Sequence, residues 1–395
     1  MSKSYNKTII ACFTGYIVQA IVNNFIPLLF LRFQFEYGIS LEKITLLVTF
    51  NFGIQLLVDL VSMTFVDRIG YRASMIIAHA CAAFGIVSLT FLPGVFPEPF
   101  IGVLISVTIY AIGGGLLEVL VSPVVEACPT DNKEKTMSLL HSFYCWGHVG
   151  VVIIATVFFA LAGIENWKVL SVFFALVPFV NMFAFMKVPM ASLIEEGEKG
   201  MSFKELFCSK IFWLLVVMMV CAGASEQAVS QWASVFAEKG LNLSKTVGDV
   251  AGPLTFAVMM GLARVFYGKY GEKINLRKFM ICSTVLCVAS YLCISLIAHP
   301  IVGFIGCGLA GFSVGIMWPG TFSIAAATLK RGGTAMFALL ALAGDLGCGG
   351  GPTVVGFVSG AINDNLHMGI LAGIVFPVVL LVSLVFGVRR KQLGH

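Results

Sequence analysis

The sequence predicts an all-α membrane protein with twelve transmembrane helices in two pseudo-symmetric six-helix bundles. Three observations predict it. Of 395 residues, 58% are hydrophobic and only 11% charged, with a mean hydropathy of +0.96, whereas a soluble domain covers its surface with about 25% charged residues. The apolar residues run in segments of roughly 20, the length of a bilayer-spanning helix, and do not alternate as in an outer-membrane barrel. The Lys and Arg residues collect in the connections. A soluble enzyme and a DNA-binding protein are thereby excluded. The net charge of +5 reports membrane topology, not a nucleic-acid partner.

Breaks at Gly, Pro and charge delimit the helices. Helix 1 (residues 8–31) places Tyr16, Gln19 and Asn23 on one face, with Asn24 beside them, ahead of Ile26-Pro27. Its length and the lack of a small-residue cleavage pattern predict a retained helix and no cleaved signal peptide. Helix 2 (43–66) carries Asp59 toward its cytoplasmic end, and helix 3 follows at 73–93. Helix 4 (100–127) sets Glu118 on one face with Gly115 and Ser122, at i−3 and i+4. Helix 5 (136–162) presents His141, Tyr144, Cys145 and His148 in a single stripe, and helix 6 spans 167–187. The longest charged connection then separates an N-terminal bundle (1–189) and a cytoplasmic linker (190–209) from a C-terminal bundle (210–395).

Helix 7 (210–237) bears a second polar stripe, Glu226, Gln227, Ser230, Gln231 and Ser234, with Trp232 beside it. A stripe this polar cannot face lipid. Helix 8 (246–268) holds Arg264 near its cytoplasmic end, and helix 9 spans 276–298. Helix 10 (301–328) places Trp318 next to Pro319, where a break should turn side chains inward. Helix 11 (333–362) contains Asp345 within the glycine run Gly344 to Gly351, and helix 12 spans 366–388. Without a Walker pattern, those glycines suit close helix packing better than phosphate binding. The eleven cysteines are scattered singly and read as small apolar helix residues.

With a cytoplasmic N-terminus, nineteen Lys and Arg fall inside and only Arg32, Lys43, Lys168, Lys239 and Lys245 outside, with Arg264 in helix 8. Both termini are therefore expected in the cytoplasm, in a multi-pass protein of the inner (plasma) membrane. An internal repeat accompanies this order. Gly115 precedes Pro123 by eight residues, as Gly311 precedes Pro319, and 25 residues past each Pro lie His148 and Gly344. Repeated halves around a midplane site are the architecture of secondary transporters.

Between helices 2 and 3 stands Asp67-Arg68-Ile69-Gly70-Tyr71-Arg72. It resembles the cytoplasmic loop motif of the major facilitator superfamily, in which a tight glycine turn carries an acid and flanking basic residues. Met63 occupies the place where that family usually has Gly. A degenerate counterpart runs from Gly261 through Arg264 to Gly271. Three shorter segments are similar to the fucose and hexose symporter branch: Gly115 to Pro123, Leu140 to Gly147, and Ile316 to Ser323. The resemblance implies a transporter working by alternating access, with Glu118 as coupling acid, His141 in the place of a substrate-side Gln or His, and Asp67, Arg68, Gly70 and Arg72 in a gating latch. One departure matters. Asn23 stands where the branch has an acid in helix 1, and Asn takes up no proton. Coupling through Glu118 alone, through another acid or by Na⁺ is left open, and so is uniport.

Ionisable groups at bilayer depth are costly and mark function. The substrate-binding candidates are Gln19, Asn23, Asn24, Glu118, His141, Tyr144, His148, Glu226, Gln227, Gln231 and Trp318. Amides, carboxylates and an aromatic plate supply the acceptors, donors and apolar face that a hydroxylated ligand needs; the competing reading is an interhelical hydrogen-bond seam. Coupling candidates are Glu118, whose carboxyl can cycle between neutral and charged forms, and Asp345. Asp59 suits a structural or gating ion pair with Arg264. His141 and His148 without a third ligand make a poor metal site, and no cofactor is expected beyond a coupling H⁺ or Na⁺. No Lys or Arg falls clearly at the midplane, so the ligand is expected to be neutral or cationic. These residues together predict a monomeric symporter for a small neutral solute, a sugar or polyol. The alternative is a multidrug or lipophilic-cation exporter.

Overall fold

The computed structural model describes residues 5–129, 133–190, 201, 203–270, 274–329 and 332–387. Among these residues every regular element is helical. Eleven helices are long and apolar enough to cross a membrane. The twelfth, Gly333–Ala361, has 29 residues, about 44 Å at 1.5 Å per residue, and its apolar run is diluted by glycines and Asp345. An all-α fold of twelve crossings is thus what the chain adopts. Residues 191–200 of the expected linker lie outside the described residues, as do the side chains of Asp67 and Arg68.

The chain divides into two compact units, Met1–Glu195 and Glu196–His395. In the first, α1 (Asn6–Asn24) is followed by α2 (Leu41–Ile69), α3 (Tyr71–Ser88), α4 (Pro99–Ala127), α5 (Lys133–Ala162) and α6 (Trp167–Lys187). In the second come α7 (Lys210–Ser230), α8 (Thr255–Tyr270), α9 (Leu276–Leu296), α10 (Pro300–Val314, resumed at Met317–Thr328), α11 (Gly333–Ala361) and α12 (Leu366–Gly373, resumed at Val375–Val382). The two units use the same pairings. α1 packs on α5, α2 and α3 on α4, and α3 on α6; correspondingly α7 packs on α11, α8 and α9 on α10, and α9 on α12.

Proline sets three of the helix breaks. Pro319 has no N–H to offer the carbonyl one turn earlier, and the helix opens at Gly315 and Ile316. The break expected beside Trp318 therefore lies a turn before it. Pro377 acts likewise on Gly373, where α12 is interrupted. In the first unit α1 ends at Asn24, a 3-10 turn covers Ile26–Leu29 around Pro27, and the helix resumes at Phe30–Tyr37.

A matched pair of arginines closes the last helix of each unit. Arg72, at the start of α3, donates from Nη1 to the carbonyls of Phe185 (2.7 Å) and Met186 (3.0 Å) and from Nη2 to Val188 (2.8 Å). Arg277, at the start of α9, donates to Leu384 (3.0 Å) and Val385 (2.9 Å). Terminal carbonyls lack intrahelical partners and favour a cation. Arg72, which the loop motif assigns to a latch, thus caps α6. Gly70 forms the single-residue turn before it at φ +83°, a backbone region where a side chain is strained.

The closest backbone approach in the second unit joins α7 to α11. A Cβ on Gly347 would lie 2.0 Å from the Val220 carbonyl oxygen, and one on Gly351 would lie 2.4 Å from that of Ala224. The glycine run is therefore a packing seam. Its tightness predicts that Gly347→Ala destabilises the protein by about 1–3 kcal/mol, whereas Gly350→Ala, with nothing within 4 Å of its Cβ, is neutral or stabilising. Thermal unfolding of the detergent-solubilised variants checks the contrast; equal melting temperatures would refute the seam.

Candidate functional site

Each unit holds its own polar cluster. In the first, the face of α1 bearing Gln19 and Asn23 meets α2 and α4. The Gln19 amide nitrogen donates to Glu118 Oε2 (3.0 Å) and to Gln55 Oε1 (3.1 Å). Gln55 in turn donates to Asn23 Oδ1 (2.9 Å), which also accepts from Asn51 (3.3 Å). Gln19, Asn23, Asn51 and Gln55 are buried, while Glu118 is half-buried. Three helices are thus linked by one chain of amides that ends on a carboxylate.

That chain is not saturated. Gln19 Oε1 and Asn51 Oδ1 are buried without a hydrogen-bond partner among the described residues. An unmet buried acceptor costs about 1–3 kcal/mol, so both atoms are poised to accept from a donor-bearing ligand. Asn51 and Gln55 do not figure among the sequence-derived candidates. Their signal is present, since Asn51, Gln55 and Asp59 recur at i, i+4 and i+8 along helix 2, the pattern of a single polar face. Asp59 is buried on this face.

Neighbouring side chains extend the cluster. The Tyr16 hydroxyl lies 2.9 Å from Ser122 Oγ, one turn beyond Glu118, and the Tyr16 ring lies 5.3 Å from the His141 ring. Asn24 donates to the Tyr144 hydroxyl (3.4 Å) and to the Ala20 carbonyl (3.0 Å). His141 and Tyr144 therefore approach α1 as expected. His148 does not join them. It is buried, and no hydrogen bond links it to the amide chain among the described residues.

The second unit arranges its stripe differently. Gln231 donates to Gln227 Oε1 (3.0 Å), and Gln227 donates to Glu226 Oε1 (3.2 Å). Arg264 Nη2 stands 3.5 Å from Glu226 Oε2. A cation expected near a helix end thus reaches a buried acid, and the pair leaves this cluster nearly neutral. Ser234 leaves the stripe to bond Asp249 (2.7 Å) and Lys245 (2.8 Å), because the helix breaks at Gln231 and Trp232. Trp232 is fully buried and donates to the Pro352 carbonyl (2.9 Å). It is held as a packing residue. Trp318, the aromatic among the substrate-binding candidates, is half-buried. Its ring sits on Gly344, where a Cβ would lie 2.2 Å from it, and Asp345, buried, follows directly. Among the described residues no group of His, Cys, Asp or Glu could hold a metal ion.

Comparison with known proteins places this geometry. The profile described as Major Facilitator Superfamily matches residues 8–352. The chain is similar in structure to the E. coli fucose:proton symporter FucP (17% identity, 98% of this chain and 100% of that chain, TM-score 0.66). It is also similar to a D-xylose-proton symporter (13%, 96% of both, TM-score 0.76). A bacterial homologue of the human lysosomal transporter Spinster, inward-facing and occupied, matches as well (14%, 97% of both, TM-score 0.73). No curated protein sequence matches the chain.

Removing one member of a buried ion pair strands the other, whereas removing both does not. Glu226→Gln and Arg264→Met should each lower the melting temperature, and the double variant should recover part of the loss. A double-mutant cycle with a coupling of at least about 1 kcal/mol is expected; additive losses would show the 3.5 Å approach to be energetically idle.

Proposed function

The chain belongs to the Major Facilitator Superfamily, and from that premise we propose that it is a cation-coupled importer of a small neutral hydroxylated solute, a sugar or polyol. As a member it is a multi-pass membrane transporter of small molecules and not an enzyme. The finer reading rests on one observation, the amide chain of the first unit with its two unmet acceptors and terminal carboxylate. Hydroxyl groups are donors that can satisfy Gln19 Oε1 and Asn51 Oδ1, and a neutral ligand adds no charge for the bilayer to oppose. The Glu226–Arg264 pair supports the same class, because it offers no surplus charge to an ionic ligand. Two proteins of like fold are described as sugar–proton symporters.

In this mechanism Glu118 carries the coupling cation. Protonated or paired with Na⁺, it is neutral and can pass through the apolar midplane; bare, it cannot. Gln19 donates to it and also reaches Gln55, so occupancy of the ligand site and the state of the carboxyl share one side chain. Asp345 is the second coupling candidate. Bundles 1–189 and 210–395, joined by the linker 190–209, rock as a monomer with both termini in the cytoplasm, and expose the site to one side at a time. An exporter of lipophilic cations would use unpaired acids and open aromatic walls; Glu226 has Arg264 beside it and Trp232 is enclosed.

Two measurements test this. In proteoliposomes, Glu118→Gln should reduce gradient-driven accumulation to the level seen without a gradient, while leaving counterflow exchange. Undiminished accumulation removes Glu118 from the mechanism. In a thermal-shift screen of sugars, polyols, nucleosides and lipophilic cations, with and without Na⁺, stabilisation should come from a sugar or polyol. It should fall by roughly tenfold in apparent affinity in Gln19→Leu, the loss of about one hydrogen-bonding group. Stabilisation confined to lipophilic cations would reverse the assignment.

A further inference from the structure

Away from both polar clusters, the first unit has a depression of about 860 Å³ where α1 and α3 begin and α6 ends, lined by Lys7, Thr14, Arg72, Asn181, Lys187 and Pro189 among others. A second depression of about 360 Å³ shares Thr14, Asn181 and Ala184 with it. Its remaining wall is the apolar face of α6, Phe173, Leu176, Val177 and Val180. Three of these four side chains are exposed, Val180 by 65%. One end of a continuous groove is therefore cationic and the other aliphatic.

Among the described residues neither Lys7, Arg72 nor Lys187 forms an ion pair. Arg72 is oriented by neutral carbonyls, which fix its guanidinium and leave its net charge in place. Asn181, buried at the junction, donates to the Ala11 carbonyl (2.9 Å) and lies 2.8 Å from His79 Nε2, so the floor between the two depressions is rigidly built.

We propose that this groove binds one anionic phospholipid, with its phosphodiester among Lys7, Arg72 and Lys187 and an acyl chain along Phe173 to Val180. The juxtaposition selects this ligand. A charged headgroup belongs at the helix ends, and its chain belongs on the lipid-exposed helix face directly below. Inorganic phosphate has nothing to place in the aliphatic half. A zwitterionic lipid brings its own cation toward the lysines. The site is independent of the transport reading, since it uses none of the residues of the amide chain.

Native mass spectrometry of the purified full-length protein tests it, with dioleoylphosphatidylglycerol and dioleoylphosphatidylcholine as competing probes. The wild type should retain one phosphatidylglycerol in preference to phosphatidylcholine, and inorganic phosphate should not displace it. Lys7→Gln with Lys187→Gln should reduce the preference about fivefold per lysine. Val180→Trp, which fills the aliphatic half from an exposed position, should weaken retention with the lysines intact. Lipid-free melting temperatures verify that both variants fold. Equal retention of the two lipids by the wild type overturns the proposal. A preference that survives loss of both lysines, or displacement by phosphate with no effect of Val180→Trp, overturns it too.

Discussion

A polar side chain inside a bilayer has no bulk water to return to, and each must find its partners within the helices around it. The first unit shows how this constraint organises a structure. Gln19, Gln55, Asn23 and Asn51 exchange hydrogen bonds across α1 and α2, and Gln19 also reaches Glu118 on α4. These bonds set the rotation of three helices about their axes, because turning any one of them would bury several amides without partners, at about 1–3 kcal/mol each. The network that fixes the helices also leaves Gln19 Oε1 and Asn51 Oδ1 unmet. Structure and the proposed ligand recognition draw on the same few groups.

Capping, close packing and helix breaks carry the rest. The capping arginines Arg72 and Arg277 do the same task at equivalent places in the two units, and the helix pairings repeat with them. Glycine lets α7 and α11 approach until the backbone of one meets that of the other. Proline opens α10 and α12 one turn before its own position. None of these devices introduces a charge into the membrane interior. Two sets of charges in the second unit are matched locally: Arg264 approaches Glu226, and Lys245 bridges Glu238 and Asp249 at 3.2 and 2.7 Å.

Much of the first unit's polar cluster was legible from residue spacing. Tyr16, Gln19, Asn23, Glu118, His141 and Tyr144 converge as their helical faces imply. The differences have specific causes. Asn51 and Gln55 sit two turns and one turn before Asp59 on the same face of α2, and as uncharged amides they carry no burial cost large enough to mark them in a sequence. His148 shares a stripe with His141, but it lies two further turns along α5 and no hydrogen bond joins it to the amide chain among the described residues. Trp232 and Ser234 follow a helix break, after which the 3.6-residue period no longer describes where side chains point. A periodicity is reliable only while its helix continues.

Composition and periodicity alone determined that the chain is helical, that it crosses a membrane twelve times and which polar positions share a helix face, because hydrophobic length and helical spacing are local properties. Which polar groups meet was a matter for the tertiary structure. Arg264 lies 38 residues beyond Glu226 in the chain and no local rule joins them; their 3.5 Å approach follows from helix packing. The basic groove beside Asn181 has the same origin, since Lys7, Arg72 and Lys187 belong to three helices and become neighbours only when those helix ends assemble.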